Sequence, residues 1–195
     1  MTLRNVPQAD ERDQAFINDV IKYGHMVLAI ASKVDDPLDG PEFSYSVGGF
    51  EAYGAPEIVI SGLRRELRHS MTNHFLECWK KGERFEPGLR YPGFIEGFDV
   101  VFLEASKTAL RTHATYADWY NERKPFPLWQ MIWPGAVTGE FPWDVEDGNE
   151  FFDLQENLTG TPWASWKVID GVVRAARPRG VRGMLGGLFG KLRTG

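Results

Sequence analysis

The chain has almost no cysteine. Cys78 stands alone among 195 residues, so an internal disulfide framework and a multi-cysteine zinc site are both excluded. The sequence also lacks an apolar run long enough to cross a bilayer, and no basic-then-apolar leader follows Met1. Together these absences predict a cytoplasmic protein without a transmembrane segment.

A broad excess of positive charge is missing as well. The formal net charge is −5, from 22 basic and 27 acidic residues. Six of the basic residues lie in 174–195, where no acidic residue occurs, so the rest of the chain is strongly acidic. The excess of acidic residues outside 174–195 argues against a nucleic-acid-binding surface on that part of the chain. The sequence predicts a single domain over residues 1–173 and a basic, glycine-rich, partly flexible tail over residues 174–195.

Apolar spacing indicates which segments are helices and which are strands. Helical spacing predicts helices over 9–23 and 63–81, and Thr112 is predicted to cap a third that runs to about residue 122. Residues 81–93 are rich in glycine and proline and are predicted to form a loop. A late hairpin that turns at Asp170-Gly171 is predicted over 163–173. Short apolar or β-branched runs predict the remaining strands, over 25–31, 43–47, 57–61, 98–105 and 128–133.

The order of these elements indicates the fold class. Consecutive strands without helices between them favour antiparallel pairing over a doubly wound sheet. We therefore expect an α+β fold, with a curved, mostly antiparallel sheet or a small open barrel and two to three packed helices. Aromatic residues make up 13% of the chain, including seven Trp, and supply bulky walls for a core or a cleft.

Four short blocks of sequence, taken in order, carry a resemblance to a known family. They are Tyr23-Gly24-His25, the strand Phe43 to Gly48, Pro56-Glu57 with Gly62-Leu63, and a closing set of Gln130, Pro134, Gly139 and Phe141-Pro142-Trp143. Together they resemble the bacterial domain of unknown function 4262 family over about residues 15–145. That family has no assigned reaction, so the resemblance implies a scaffold and a cleft but no mechanism.

Three positions depart from the family pattern. Gly49, Ala55 and Gly135 stand where Leu, His and Asp are usual. Chemistry that relatives perform through that His or Asp is therefore not implied for this chain, and the catalytic residues stay unassigned.

The matched blocks bring polar and aromatic residues to a predicted ligand-binding cleft. Aromatic walls with one placed amide suit a planar ligand. Two purely structural alternatives remain open. Glu57 can be a hydrogen-bond partner that holds the loop 48–56 in place. Trp133 and Trp143 can pack the end of the sheet without contacting a ligand. The expected ligand contacts are Tyr45, Ser46, Glu57, Gln130, Trp133 and Trp143.

A phosphate site is a further hypothesis. Ser44 shares a strand face with Ser46 beside a glycine turn, and Arg64 and Arg65 begin the next predicted helix, a setting typical of phosphate binding. The alternative is a solvent-facing strand edge followed by a flexible loop.

A metal site is not expected. His74 and Cys78, at i and i+4, can share a helix face, but a metal needs a third ligand and none is apparent in the sequence.

Three functions follow as hypotheses, and the sequence does not decide whether the protein is an enzyme. The first is binding of a small molecule or a protein partner in the aromatic cleft. The second is flavin-dependent oxidoreduction with FMN as cofactor and a homodimer as the assembly, because the element order is similar to flavin-reductase-like split barrels. The third is docking to a partner or a membrane surface through the basic tail.

Overall fold

The computed structural model describes residues 10–32, 40–145 and 154–176. Its strands are β1 (Met26–Ile30), β2 (Phe43–Val47), β3 (Glu57–Ser61), β4 (Arg90–Ile95), β5 (Phe98–Glu104), β6 (Leu128–Ile132), β7 (Trp166–Ile169) and β8 (Val172–Ala175). Its α-helices are α1 (Glu11–Tyr23), α2 (Gly49–Tyr53), α3 (Arg65–Lys80), α4 (Lys107–His113) and α5 (Thr115–Tyr120), and a 3-10 helix spans Trp163–Ser165.

The first six strands form one mixed sheet in the order β1-β2-β3-β6-β5-β4. Four of the neighbouring pairs are antiparallel, and only β3 and β6 run parallel. The α+β class is therefore confirmed, with a mostly antiparallel sheet. The sheet keeps β1 and β4 as its two edges, so it is not closed as a barrel.

Side chains alternate between the two faces of the sheet and build separate clusters on each. On one face, β2, β3 and β6 pack against α1 and α5. On the other face, β3, β5 and β6 pack against the apolar side of α3, which carries Met71, Phe75 and Leu76. A third cluster joins Val101 and Ile132 to residues 141–143, the 3-10 helix and β8. The sheet is thus covered on both sides.

Three short elements differ from the sequence-based expectation. The predicted loop 81–93 contains the start of β4, an edge strand with a register shift between Tyr91 and Ile95, and edge strands tolerate the proline and glycine found there. The predicted loop 48–56 contains α2. Helix α4 was not predicted at all.

Thr112 is not a helix cap. It lies inside α4, and its hydroxyl donates to the carbonyl of Thr108 at 3.1 Å. The cap of α4 is Ser106, whose hydroxyl accepts from the amide of Ala109 at 3.1 Å.

The predicted tail begins inside a strand. β7 and β8 form a hairpin that turns at Asp170-Gly171, as predicted, and β8 continues to Ala175. Residues 177–195, and with them most of the predicted tail, lie outside the described residues. Among the helices that are described, none is long and apolar enough to cross a membrane.

Candidate functional site

Glu57, the first residue of β3, lies at the centre of a buried polar cluster. Its side chain is fully buried, and one carboxylate oxygen accepts from the amides of Gly48 at 2.9 Å and Phe50 at 3.1 Å. The other oxygen accepts from the Ser46 hydroxyl, whose own oxygen accepts from the amide of Ile58 at 2.9 Å. We call these residues the Glu57 cluster. It supplies the first turn of α2 with acceptors that Gly48 cannot provide.

Burial raises the pKa of the Glu57 carboxyl, because removal from water disfavours the charged form. The hydrogen bond from Ser46 and those from the backbone amides of Phe50, Gly48 and Gly49 act in the opposite direction but are the smaller effect. Both oxygens are occupied by donors from the protein itself. These contacts are those of a residue that holds the loop 48–56 in place. Direct contact between Glu57 and a ligand stays a prediction.

Two glycines with positive φ meet next to the Glu57 cluster. Gly24, with φ 87°, ends α1, and Gly48, with φ 98°, begins α2. A Cβ on Gly48 would overlap the side chain of Val20 and lie 3.1 Å from the carbonyl oxygen of Gly24, and a Cβ on Gly24 would overlap the Tyr53 hydroxyl. Both positions therefore require glycine, for conformation and for space.

A cavity of about 280 Å³ opens between α1, α2 and the end of α5. We call it the α1–α2 cavity. Among the described residues that line it, one side chain is charged, the carboxylate of Glu51, and the backbones of Gly24 and Gly48 form part of its surface. The other walls are the side chains of Val20, Ile21, Ala52 and Tyr120. The cavity surface is thus mixed, with only slightly more apolar than polar area, and it is bounded by two of the sequence blocks that carry the family resemblance.

His25, which follows Gly24, links the elements around this cavity. One ring nitrogen lies 2.9 Å from the side-chain oxygen of Asn73 on α3, and the other lies 3.3 Å from the Tyr53 hydroxyl on α2. The same hydroxyl lies 3.3 Å from the carbonyl oxygen of Tyr23, to which it can donate. The ends of α1 and α2 are thereby tied to the middle of α3.

Ser44 is fully buried beneath Arg68, a residue that sequence reasoning missed. Arg68 is only 2% exposed; its Nε donates to the Ser44 hydroxyl at 3.1 Å, and its guanidinium also donates to the carbonyl of Leu63 and to Glu42. Arg64 and Arg65 are exposed. The structure does not bring Ser44, Arg64 and Arg65 to one accessible surface, and phosphate binding by this set stays a prediction.

Tyr45 and Trp143 pack in different clusters. The Tyr45 hydroxyl accepts from the amide of Tyr116 at 3.4 Å on the α5 side of the sheet. Trp143 stacks on Phe141, with ring centroids 4.9 Å apart and planes within 5°. Both residues are almost fully buried, so the structure does not bring them together in one cleft.

Gln130 and Trp133 are engaged by the segment that follows residue 153. The Gln130 amide donates to the carbonyl of Glu156 at 2.6 Å and accepts from the amide of Leu158 at 3.0 Å. Gln155, which the sequence did not single out, accepts from the Trp133 amide at 3.0 Å and donates to its carbonyl at 2.7 Å. Gln130 and Gln155, the glutamine pair, hold residues 155–158 against β6. Ligand contact by Gln130, Trp133 or Trp143 stays a prediction.

The His74 and Cys78 side chains lie within 3.8 Å of each other on α3. In the described parts of the chain, no group of three or more His, Cys, Asp or Glu side chains is placed to hold a metal ion.

Residues 19–147 match the family model for the domain of unknown function 4262, which is well over half of the chain. The protein belongs to this family. No curated protein and no solved structure matches the chain. The matched region contains the Glu57 cluster and every residue that lines the α1–α2 cavity, so the site belongs to the family domain.

Proposed function

We propose that this member of the domain of unknown function 4262 family binds a small molecule in the α1–α2 cavity. The observation that carries the proposal is the cavity itself: about 280 Å³, with apolar and polar walls, beside two glycines whose positive φ and close neighbours disfavour any side chain. Ligand pockets in proteins are mainly apolar and begin at about 300 Å³, so the expected ligand is small.

The lining indicates the chemistry of the ligand. Val20, Ile21, Ala52 and Tyr120 offer apolar contacts, and burial of apolar surface contributes about 25 cal/mol per Å². The carboxylate of Glu51 disfavours an anion. We therefore expect a small neutral or cationic molecule with an apolar body.

The Glu57 cluster acts in this proposal as a support. It satisfies the amides that begin α2, so the backbone of Gly48 is held in place without a ligand. A preformed site loses less conformational entropy on binding than a mobile one. Ser46 and Glu57 are thus positioning residues for the cavity.

Native mass spectrometry of freshly purified protein tests the proposal. We expect a retained small organic mass that is released on denaturation, or stabilisation of emptied protein against heat by small neutral or cationic compounds. A bare protein that no such compound stabilises would contradict the proposal. The same spectrum gives the number of subunits and so tests the proposed homodimer.

Flavin binding is the alternative function. The hydroxyls of Ser44 and Ser46, which suggested it, are engaged by Arg68 and Glu57, so no described contact favours it over the first proposal. Titration of FMN fluorescence decides the matter: quenching supports a flavin protein, and unchanged fluorescence at high protein concentration removes the alternative.

The proposal also includes a cytoplasmic location for the protein, with a protein partner as the alternative to a small-molecule ligand. A cytoplasmic location is supported by the free, buried thiol of Cys78, since reduced cysteine is usual there. Binding of a protein partner instead of a small molecule would leave the α1–α2 cavity empty in native mass spectra and would appear as a larger complex.

A further inference from the structure

A second, larger cavity lies where α4 meets α5. Its volume is about 490 Å³, and we call it the α4–α5 cavity. It shares no lining residue with the α1–α2 cavity. The described residues that line it are Arg111, Thr115, Asp118, Trp119 and Arg123.

Two guanidinium groups line this cavity without a partner of opposite charge. Arg111 lies in the last turn of α4, and Arg123 follows α5. Within the described residues, neither side chain forms an ion pair, not even with Asp118, which lines the same cavity. Two cations against one carboxylate give the cavity a net positive charge in an otherwise acidic body, and such a concavity attracts anions.

The turn after α5 holds Arg123 in place. Glu122 and Arg123 both have positive φ, 55° and 56°, a conformation that residues other than glycine rarely adopt. The Arg123 amide donates to the carbonyl of Asp118 at 2.8 Å, and the buried side chain of Asn121 donates to the carbonyl of Ala117 at 2.9 Å. The position of Arg123 is thus set by the backbone and needs no ligand.

The wall between the two arginines is also ordered by internal contacts. The half-buried ring of Trp119 packs edge-on against Tyr116, with centroids 5.6 Å apart. Thr115, which lines the cavity, begins α5, and the next residue of α5, Tyr116, donates its amide to the buried Tyr45 hydroxyl at 3.4 Å. An aromatic ring and a hydroxyl are therefore presented beside the two guanidinium groups.

We propose that the α4–α5 cavity binds a small planar molecule that carries a phosphate or a carboxylate. Arg111 and Arg123 hold the oxyanion through charge-assisted hydrogen bonds, for which the guanidinium fork is suited. The ring of the ligand packs against Trp119, and Asp118 accepts a hydrogen bond from its polar edge. This ligand differs in charge from the one proposed for the α1–α2 cavity, so either proposal can fail without the other.

Titration with phenyl phosphate, followed by ¹H–¹⁵N NMR in a phosphate-free buffer, tests this second site. We expect the indole resonance of Trp119 to shift, and phenyl phosphate to bind about tenfold more tightly than inorganic phosphate or phenol. Benzoate replaces phenyl phosphate in a parallel titration, which distinguishes a phosphate ligand from a carboxylate. Arg111→Gln and Arg123→Gln should each weaken binding about tenfold.

The controls separate a built site from general attraction of anions. Arg174→Gln removes an exposed arginine of β8 and should leave the affinity unchanged, and Arg111→Lys should lose less affinity than Arg111→Gln. The proposal is overturned if neither aromatic anion shifts the Trp119 indole, or if Arg174→Gln weakens binding as much as Arg111→Gln does. Because all three arginines are exposed, these variants are expected to stay folded.

Discussion

Glu57 is a buried carboxyl whose contacts a glutamine side chain can reproduce, provided that the Ser46 hydroxyl accepts instead of donating. Two backbone amides donate to one of its oxygens, and the Ser46 hydroxyl contacts the other. In a glutamine, the carbonyl oxygen can accept from both amides while the NH₂ group donates to Ser46. The charge of Glu57 is therefore not needed for its contacts, and burial of that charge is unfavourable.

Glu57→Gln should remove a pH dependence of stability. Because burial raises the pKa of Glu57, the folded state binds this proton more tightly than the unfolded state, whose value is about 4.3. The stability of the wild type therefore falls as the pH rises from the unfolded value through the folded one, and the variant lacks this loss. In urea unfolding, the stability of Glu57→Gln relative to wild type should be greater at pH 8 than at pH 4.5.

Glu57→Ala is the matched control for that experiment. It leaves the amides of Gly48 and Phe50 without acceptors and, because it also lacks the ionisable group, should be less stable than Glu57→Gln by about 3 kcal/mol at every pH. A constant difference between Glu57→Gln and wild type from pH 4.5 to 8 would contradict the account of this carboxyl.

Arg68 should be as important for stability as an apolar core residue. Its replacement by leucine leaves the Leu63 carbonyl and the Ser44 hydroxyl without their donor, and we expect a loss of about 3 kcal/mol in the free energy of unfolding. Arg65→Leu, at an exposed position of the same helix, should change it by less than about 0.5 kcal/mol. Equal effects of the two substitutions in thermal or urea unfolding would show that the Arg68 contacts contribute little.

Single residues were predicted unevenly from the sequence. Ser46 and Glu57 were singled out, and the structure joins them in one cluster, because a strand boundary and a loop are visible locally. Arg68 and Gln155 were missed, since an arginine or a glutamine usually indicates a solvated position. Their burial depends on acceptors and donors at Ser44, Leu63 and Trp133 that only the folded chain brings near.

Elements were predicted best where apolar spacing alone decides them. The bounds of β2 and β3 were predicted correctly, and α1 and α3 within about two residues. Helix α2 was missed because it has five residues and its acceptor comes from Glu57 in the next strand. The parallel pairing of β3 with β6 depends on a crossover that no local pattern specifies.

The segment 155–158 should depend on the glutamine pair for its attachment to β6. In Gln155→Ala, the backbone amide and carbonyl of Trp133 lose the partners that the side chain provides. We expect hydrogen exchange at the Trp133 amide to be about 30-fold faster in this variant. Asn157→Ala, whose side chain bonds only within residues 157–161, should leave that amide unchanged. Equal exchange in wild type and Gln155→Ala would contradict this role.

At the scale of the whole molecule, the described residues include two cavities of different charge next to α5. The α1–α2 cavity has a mixed lining with the carboxylate of Glu51, and the α4–α5 cavity carries two arginines that form no ion pair with any described residue. The fold class and the acidic body were predictable from the sequence. The cavities were not, because they form between helices whose docking follows from contacts across the sheet. The central claim for this protein is that a small molecule binds in the α1–α2 cavity.

A substitution of Ala52 tests ligand binding in the α1–α2 cavity without changing a core residue. It is an exposed residue of α2 that lines the α1–α2 cavity, so Ala52→Trp should fill the cavity and leave the fold intact. Ala164→Trp, at an exposed position of the 3-10 helix, adds the same side chain elsewhere.

A ¹H–¹⁵N NMR screen of small neutral and cationic compounds against the wild type and these two variants is the decisive measurement. We predict that compounds which bind the wild type shift the amides of Ile21, Gly24, Gly48 and Ala52, and that binding persists in Ala164→Trp and is lost in Ala52→Trp. Shifts confined to other residues, or equal binding by Ala52→Trp and wild type, would contradict a ligand site in the α1–α2 cavity.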